Sequence, residues 1–523
     1  MTARLRLSEE NRRWWTLGAM CFALFMVMLD NTVVNVALPS IQRDFDASLS
    51  SLEWTINAYT LVFAVLLVTG GRMGDIFGRR KIFLGGVVVF ALSSATIGFA
   101  PSEEWLVASR ALQGAGAAFM MPGTLSIISD AFPPAERGKA IGMWAGVSAI
   151  ALALGPVVGG WLTEDLSWRA IFFLNLPVAA GAIVVTLFAA RESRDNTVSR
   201  QVDLPGIGAL TVGLTALVLA LVEGNAWGWG SYEIVGLLVL AVVSLSGFVV
   251  IERRSASPVV DFDFFRSRSF LGATIVAFAV SFAMFAMFFF IALYMQNILD
   301  YSPLQAGIRF LPSTLVIIVA APLAGRLTDR VGPRPLIVSG LLLCAAAMLW
   351  QSRLDTGTGY GFLLPGFVLM GLGMGLTMSP MSTAAMNAVH HTKAGVASGT
   401  LSMSRMVGGT FGVAVLGALV AGVGRSELEK SLPALPAAAR ERVVDALGSG
   451  AAGTGAPADV ITAAREAFIV ALGDALTLSA AVAAVAAVAA WFLIAKGRPQ
   501  PEPDDRPADP GETEPAAAET VAV

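Results

Sequence analysis

Long apolar runs recur from one end of this chain to the other, and nothing else restricts its fold as much. A helix crossing the hydrocarbon core of a bilayer needs about 20 mostly apolar residues. In lipid its backbone polar groups must be satisfied within the helix itself. Fourteen such stretches can be marked, near 15–38, 52–71, 82–100, 105–128, 140–162, 170–190, 204–222, 232–251, 270–293, 304–325, 335–352, 360–386, 396–423 and 467–495. Only 14% of the 523 residues are charged and the mean hydropathy is +0.70, against about 25% charged residues in a soluble domain. Too little charge remains to coat two or three soluble domains, so lipid must cover much of the outside. The expected fold class is an all-α polytopic membrane protein with 14 transmembrane spans. The first run follows Arg12 and Arg13 as a signal peptide would, but it continues to Leu38 with no small-residue cleavage site after it. It reads as the first span.

Lys and Arg set the orientation, because they accumulate in cytoplasmic loops. With the N-terminus inside, the inside segments hold 24 Lys and Arg and the outside segments 8, and Arg110, Arg309 and Arg405 lie within spans. An even number of spans then puts both termini in the cytoplasm. The tail after Lys496 is rich in Pro, Ala and acids, a composition that does not fold alone.

The chain also repeats itself. Gly71, Arg72, Asp75, Gly78 and Arg80 find identical residues 254 positions later, at Gly325, Arg326, Asp329, Gly332 and Arg334. Gly114, Gly116, Gly138 and Gly142 find theirs 257 positions later, at Gly371, Gly373, Gly395 and Gly399. Spans 1–6 and 9–14 therefore read as two parallel copies, two six-helix bundles with spans 7 and 8 inserted between them. The expected organisation is a cytoplasmic N-terminus at 1–14, a first bundle at 15–190, the inserted spans with their flanking loops at 191–269, and a second bundle at 270–495. That second bundle includes a long external loop at 424–466, and a disordered acidic tail follows at 496–523. Transporters built from such repeats place the substrate near midplane, where the halves meet.

Four motifs, in order and on the right spans, carry a family resemblance. Gly71–Lys81 resembles the loop signature between helices 2 and 3 of the major facilitator superfamily. Arg110–Ala118 resembles the helix 4 signature, and Gly155–Gly160 resembles the antiporter signature of helix 5. Leu29–Pro39 resembles the helix 1 signature of the fourteen-span drug:proton antiporter branch, which Trp168, Arg169, Phe172, Phe173, Asn175 and Pro177 also fit. The resemblance covers about residues 14–495. It implies the major facilitator fold and a proton-coupled efflux antiporter in a bacterial cytoplasmic membrane. Such a protein works by alternating access and exports small lipophilic drugs or antibiotics, often cationic, in exchange for protons.

The residues bear separate readings. Ionisable side chains inside spans are costly and point to function. Asp30 is expected to carry the coupling proton and Arg110 to tune it; a fixed structural ion pair is the plainer alternative. Arg309 and Arg405 are expected to be structural. Asn31, Asn35, Asn57, Tyr59 and Gln113 are the polar candidates for a substrate cavity. Asn57 stands where some cation-exporting relatives carry an acid. Met284 and Phe285 of span 9 suit an adaptable apolar site, and a lipid-facing stripe fits them equally. Gly71, Arg72, Asp75, Gly78, Arg79 and Arg80, with the copy Asp329, read as a conformational latch; a positively charged topology anchor is the alternative. Gly155, Pro156, Gly159 and Gly160 let helices approach closely. They are expected to form a seam between the halves that seals the cavity on the cytoplasmic side.

Other classes find no support in the residues. His390 and His391 are the only histidines, Cys21 and Cys344 are isolated in apolar runs, and no Gly-Lys-Ser/Thr phosphate loop occurs, so no metal, cofactor or ATP is expected. A net charge of −3 offers nothing to nucleic acid. The expected partners are protons, a small lipophilic substrate and the bilayer. A dedicated exporter of one metabolite or lipid is the alternative within transport; an uptake symporter fits less well with Gly155–Gly160.

Overall fold

In a computed structural model, residues 8–45, 49–194, 203–255, 258, 260, 262–301, 303–390, 393–433, 436 and 457–496 are described. They form helices α1 (Glu9–Phe45), α2 (Leu49–Phe77), α3 (Arg79–Gly98), α4 (Glu103–Ala131), α5 (Pro134–Asp165), α6 (Trp168–Ala189), α7 (Leu204–Trp227) and α8 (Tyr232–Glu252). A short 3-10 turn at Phe262–Arg266 precedes α9 (Arg268–Asn297). Then come α10 (Pro303–Arg309), α11 (Leu311–Val331), α12 (Pro333–Gln351), α13 (Tyr360–Asn387), α14 (Ala394–Ser431) and α15 (Ala458–Leu493). Among the described residues, 13 helices are long and apolar enough to cross a membrane. The 32-residue α5 occupies the remaining expected span.

Local chemistry sets many boundaries. Side-chain oxygens of Ser102, Ser167, Asp203, Ser231 and Ser267 each accept a backbone N–H in the first turn of α4, α6, α7, α8 and α9, satisfying donors that a helix start leaves free. The turns from α2 to α3 and from α11 to α12 pass through Gly78 (φ 111°) and Gly332 (φ 87°). Side chains are disfavoured at such angles, so the repeated glycine marks the same turn in both halves.

The two copies pack alike. α1 lies on α5 and α6, α2 on α4, and α3 on α4 and α6; correspondingly α9 lies on α14 and α15, α11 on α13, and α12 on α13 and α15. The bundles meet along α2 with α14 and along α5 with α11, while α7 and α8 form a hairpin whose α7 rests on α2 and α14. Large apolar side chains such as Phe188 and Phe492 stand out from the outer faces, more than 70% exposed, as a lipid-facing surface requires.

Three expectations need correction. Helix α1 overruns its span at both ends, because helix continues through polar residues that hydropathy does not count. Span 10 is broken at Phe310 into α10 and α11. The long loop expected at 424–466 is helical at both ends, where α14 runs to Ser431 and α15 starts at Ala458. The middle of that loop, His391 and the tail beyond Lys496 lie outside the described residues.

Candidate functional site

Asp30 lies a little past the middle of α1 and is buried, at 2% exposure. Arg110 on α4 places Nη1 2.6 Å from its Oδ2. Asp30 Oδ1 accepts from Gln113 Nε2 at 3.0 Å and from Asn175 Nδ2 of α6 at 3.1 Å. Ser94 Oγ on α3 accepts from the same two amides, at 2.7 and 3.1 Å. Arg110 also donates through Nε to the carbonyl of Thr55 on α2 and through Nη1 to Gln113 Oε1. Its guanidinium lies 4.4 Å from the centre of the Tyr59 ring, within cation–π range. Five helices of one bundle thus converge on a single buried carboxylate. Asn31 sits beside the Tyr59 hydroxyl without closing a full hydrogen bond, and Asn57 is half-buried on α2. The side chains of Asn35 and Glu53 lie outside the described ones.

A second cluster sits at the face where α1 begins and α15 ends. Asp75, in the last turns of α2, is buried and paired with Arg79 at 2.9 Å. It also reaches into the other bundle, accepting the N–H groups of Gly395 at 3.0 Å and Val396 at 2.9 Å. These are free donors at the positive end of α14. Its copy Asp329 makes the converse crossing, accepting the N–H groups of Gly138 and Lys139 of α5, both at 3.1 Å. Arg137 Nη1 adds a cross-bundle bond to Asn387 Oδ1 at 3.1 Å. Gly71 faces the Gly395 carbonyl and Gly325 the Gly138 carbonyl so closely that a Cβ at either would collide with backbone. Arg79 and Arg80 are held through their backbone N–H groups by Ser193 O and Glu192 Oε1, and Arg80 Nη1 reaches Ala190 O. Arg72 is buried in the same region. These contacts close the face on which they lie.

The antiporter-type glycines do not join the halves. A Cβ on Gly155 would meet Thr32, and one on Gly159 would lie 3.2 Å from Val33; both partners are on α1 of the same bundle. Gly142 and Gly146 instead face α11 of the other bundle. Nine residues separate Gly146 from Gly155, which at 3.6 residues per turn is half a turn of azimuth. The motif therefore seals α5 to α1 at the level of Asp30, away from the closed face. Gly160 has open space around it, and the side chain of Pro156 lies outside the described ones. Of the apolar candidates, Met284 is buried in the core, while Phe285 is 49% exposed with its ring against Gly409.

Two members of the Asp30 network were not expected at the site: Asn175, named above only as fitting the branch signature, and Ser94. Asn175 is a lone amide within an apolar span, and that was an available signal. Ser94 had none, since small hydroxyl residues are common in packed membrane helices.

Residues 20–413 match the family described as Major Facilitator Superfamily. The chain is 37% identical to the tetracenomycin C resistance and export protein of Streptomyces glaucescens, over 95% of this chain and 94% of that protein. It is 42% identical to the puromycin resistance protein pur8 of Streptomyces alboniger, over 79% and 83%. It is 35% identical to the multidrug resistance protein Stp of Mycobacterium tuberculosis, over 91% of each. Among solved structures, the proton:xylose symporter XylE has the same fold (TM-score 0.62, 13% identity, 94% of this chain and 98% of that one). So does the human organic anion transporter MFSD10 (TM-score 0.59, 15% identity, 90% and 99%).

Proposed function

The chain belongs to the major facilitator superfamily, and from that premise we propose that it is a proton-coupled efflux antiporter for small lipophilic drugs or antibiotics. Relatives named for resistance and export support the direction of transport. The single observation that carries proton coupling is the buried Asp30–Arg110 pair with its amide shell. A proton on Asp30 would neutralise the carboxylate and free the guanidinium, so loading and unloading change the contacts among five helices. Conformation and protonation are then linked, as alternating access requires. The Lys and Arg excess supports placing both termini, and the closed face with them, in the cytoplasm of a bacterial cell. In that orientation the Asp75 and Asp329 contacts belong to the state shut toward the cytoplasm.

A driving force of about 180 mV on one charge is worth roughly 4 kcal/mol, enough for a substrate gradient of about a thousandfold. Everted vesicles carrying the protein should accumulate fluorescent lipophilic probes when respiration energises them. They should lose that accumulation on adding a protonophore while ATP stays high. Accumulation that persists in de-energised vesicles supplied with ATP would overturn proton coupling.

A further inference from the structure

Arg405 differs from the other guanidiniums within the spans in what it touches. Arg110 has Asp30. Arg309 lies 3.8 Å from the centre of the Tyr301 ring and donates to Gln305 O. Among the described residues, Arg405 donates to the thioether of Met378 on α13, with Nη1 3.9 Å from Sδ, a weak acceptor. No carboxylate pairs with it among the described residues. It stands eleven residues into α14, about 16 Å along the helix axis and so near the middle of the hydrocarbon core. A buried charge without a partner is unfavourable, so one retained at this depth implies a counter-charge that comes and goes.

The surroundings give that counter-charge a place. Arg405 is only partly buried. α14 borders α2 and α4, and α13 borders α5, so the pair flanks the groove between the bundles. On α14 the glycines at 395 and 399 turn toward α2, and those at 408 and 412 turn toward α9. Ser398, Ser402 and Arg405 form a separate stripe at helical spacing. Ser398, two turns from Arg405 on that stripe, is fully buried and its hydroxyl has no hydrogen-bond partner. Met378, Met403 and Met406 are partly buried nearby, offering soft, polarisable walls to an apolar body.

We propose that Arg405 is an anion-recognition point on the translocation path. Its ligand is an acidic lipophile, an apolar molecule bearing one carboxylate or phenolate that the planar guanidinium grips through paired N–H donors. The molecule's body lies against the partly buried methionines Met378, Met403 and Met406. The proposal rests on the export reading for its biological meaning, but its test needs no transport.

The test is equilibrium binding of 2-naphthoate and its neutral isostere 2-naphthamide to purified protein in nanodiscs. Wild type should bind the acid at least tenfold more tightly than the amide. Arg405→Met should erase that preference by weakening the acid alone, leaving the amide within about twofold, and Arg405→Lys should keep part of it. The wild-type comparison stands even if Arg405→Met fails to fold. Equal binding of acid and amide by wild type, or no binding of either, overturns the proposal. So does equal weakening of both by Arg405→Met, or displacement of naphthoate by chloride at matched concentration, which would assign the guanidinium to an inorganic ion. An acid preference without proton-driven export would keep the site and sink the export reading; export without the preference would do the reverse.

Discussion

At the level of Asp30, the first bundle gathers Arg110, Gln113 and Ser94 into one hydrogen-bonded group. At the matching positions of the repeat, 257 residues on for the first two and 254 for the third, the second bundle has Phe367, Met370 and Met348. All three are at most 1% exposed. Helix packing is the same in both copies, so shape does not require the polar group. The apolar core of the second bundle shows that the fold can close there without charge. The first bundle therefore keeps an expensive ion pair for a reason other than packing. Its second-half copy has instead the isolated guanidinium of Arg405, one helix further along the repeat.

The sharpest way to break this comparison is to neutralise the polar group and perturb its apolar copy. Asp30→Asn removes the negative charge while nearly keeping the size, and turns one of two accepting oxygens into a donor. In proteoliposomes it should abolish uphill, proton-driven transport, a loss of at least about a hundredfold in the gradient sustained, two decades of the thousandfold available. Exchange of labelled for unlabelled substrate should survive. Arg110→Lys keeps the charge but loses the planar fork, so it should shift the pH profile of transport. Asn175→Ala, which removes one donor from the carboxylate, should shift it less. Met370→Leu, a nearly volume-conserving change costing under about 1.5 kcal/mol of stability, should leave coupling intact. Full uphill transport by Asp30→Asn would move the proton to another group, with Glu53 the first to examine. Equal damage from Met370→Leu would mean that the two cores do the same job.

The two aspartates that cross between the bundles differ in the same sense, to a smaller degree. Asp75 is 1% exposed, paired with Arg79, and accepts N–H groups of the second and third residues of α14. Asp329 is only half-buried, and Pro333 stands where the first copy has Arg79. Hydrogen bonds to a charged group contribute about 1.5–3 kcal/mol, or roughly a tenfold change or more in a conformational equilibrium. Asp75→Asn should therefore lower turnover about tenfold while leaving substrate affinity within about twofold, and Asp329→Asn should lower turnover about two- to threefold. Flux and equilibrium binding measured on one purified preparation would decide. Binding lost with normal flux per bound ligand would place Asp75 in the substrate site instead of the latch.

The frame was legible because lipid enforces it. Apolar length shows each span, and Gly78 and Gly332 betray the repeat since their turn tolerates little else. Where the reading failed, the missing quantity was the neighbour. The spacing of Gly155 and Gly159 implies a close approach but not to which helix, and half a turn of azimuth on α5 decides between α1 and α11. The partners of Asp75 are backbone N–H groups, which no residue type announces. Arg309 and Arg405 look equivalent as isolated cations in apolar runs. Only the fold shows that one finds aromatic rings and a carbonyl while the other finds a thioether.

The smallest expected difference lies at the far ends of the bundles, opposite Asp75 and Asp329. In the first, Asp44 at the end of α1 accepts from Trp168 Nε1 at 3.0 Å and pairs with Arg169 of α6. The Trp168 and Arg169 hydrogen bonds hold its carboxyl below the usual carboxylate range. In the second bundle, Asp355 in the turn after α12 is held low by the Thr358 hydroxyl and the Gly357 N–H, both within its own turn. A carboxyl depressed in the folded state stabilises fully above its unfolded value, about 3.9. That contribution is lost as pH falls through the lower folded value. Asp44 bridges two helices, but it and Arg169 are each about a third or more exposed, so the pair is worth no more than about 1 kcal/mol. Asp44→Asn should lower thermal stability slightly at pH 7, and the difference from wild type should close as pH drops below about 4. It should also shrink in 1 M salt, where screening acts over about 3 Å. Asp355→Asn should show no salt dependence, because its partners carry no charge. Melting curves in detergent at pH 7 and pH 3, at low and high salt, would separate the two. An Asp44→Asn deficit that stays constant across pH and salt would assign the clamp to packing of Trp168 and not to the carboxylate.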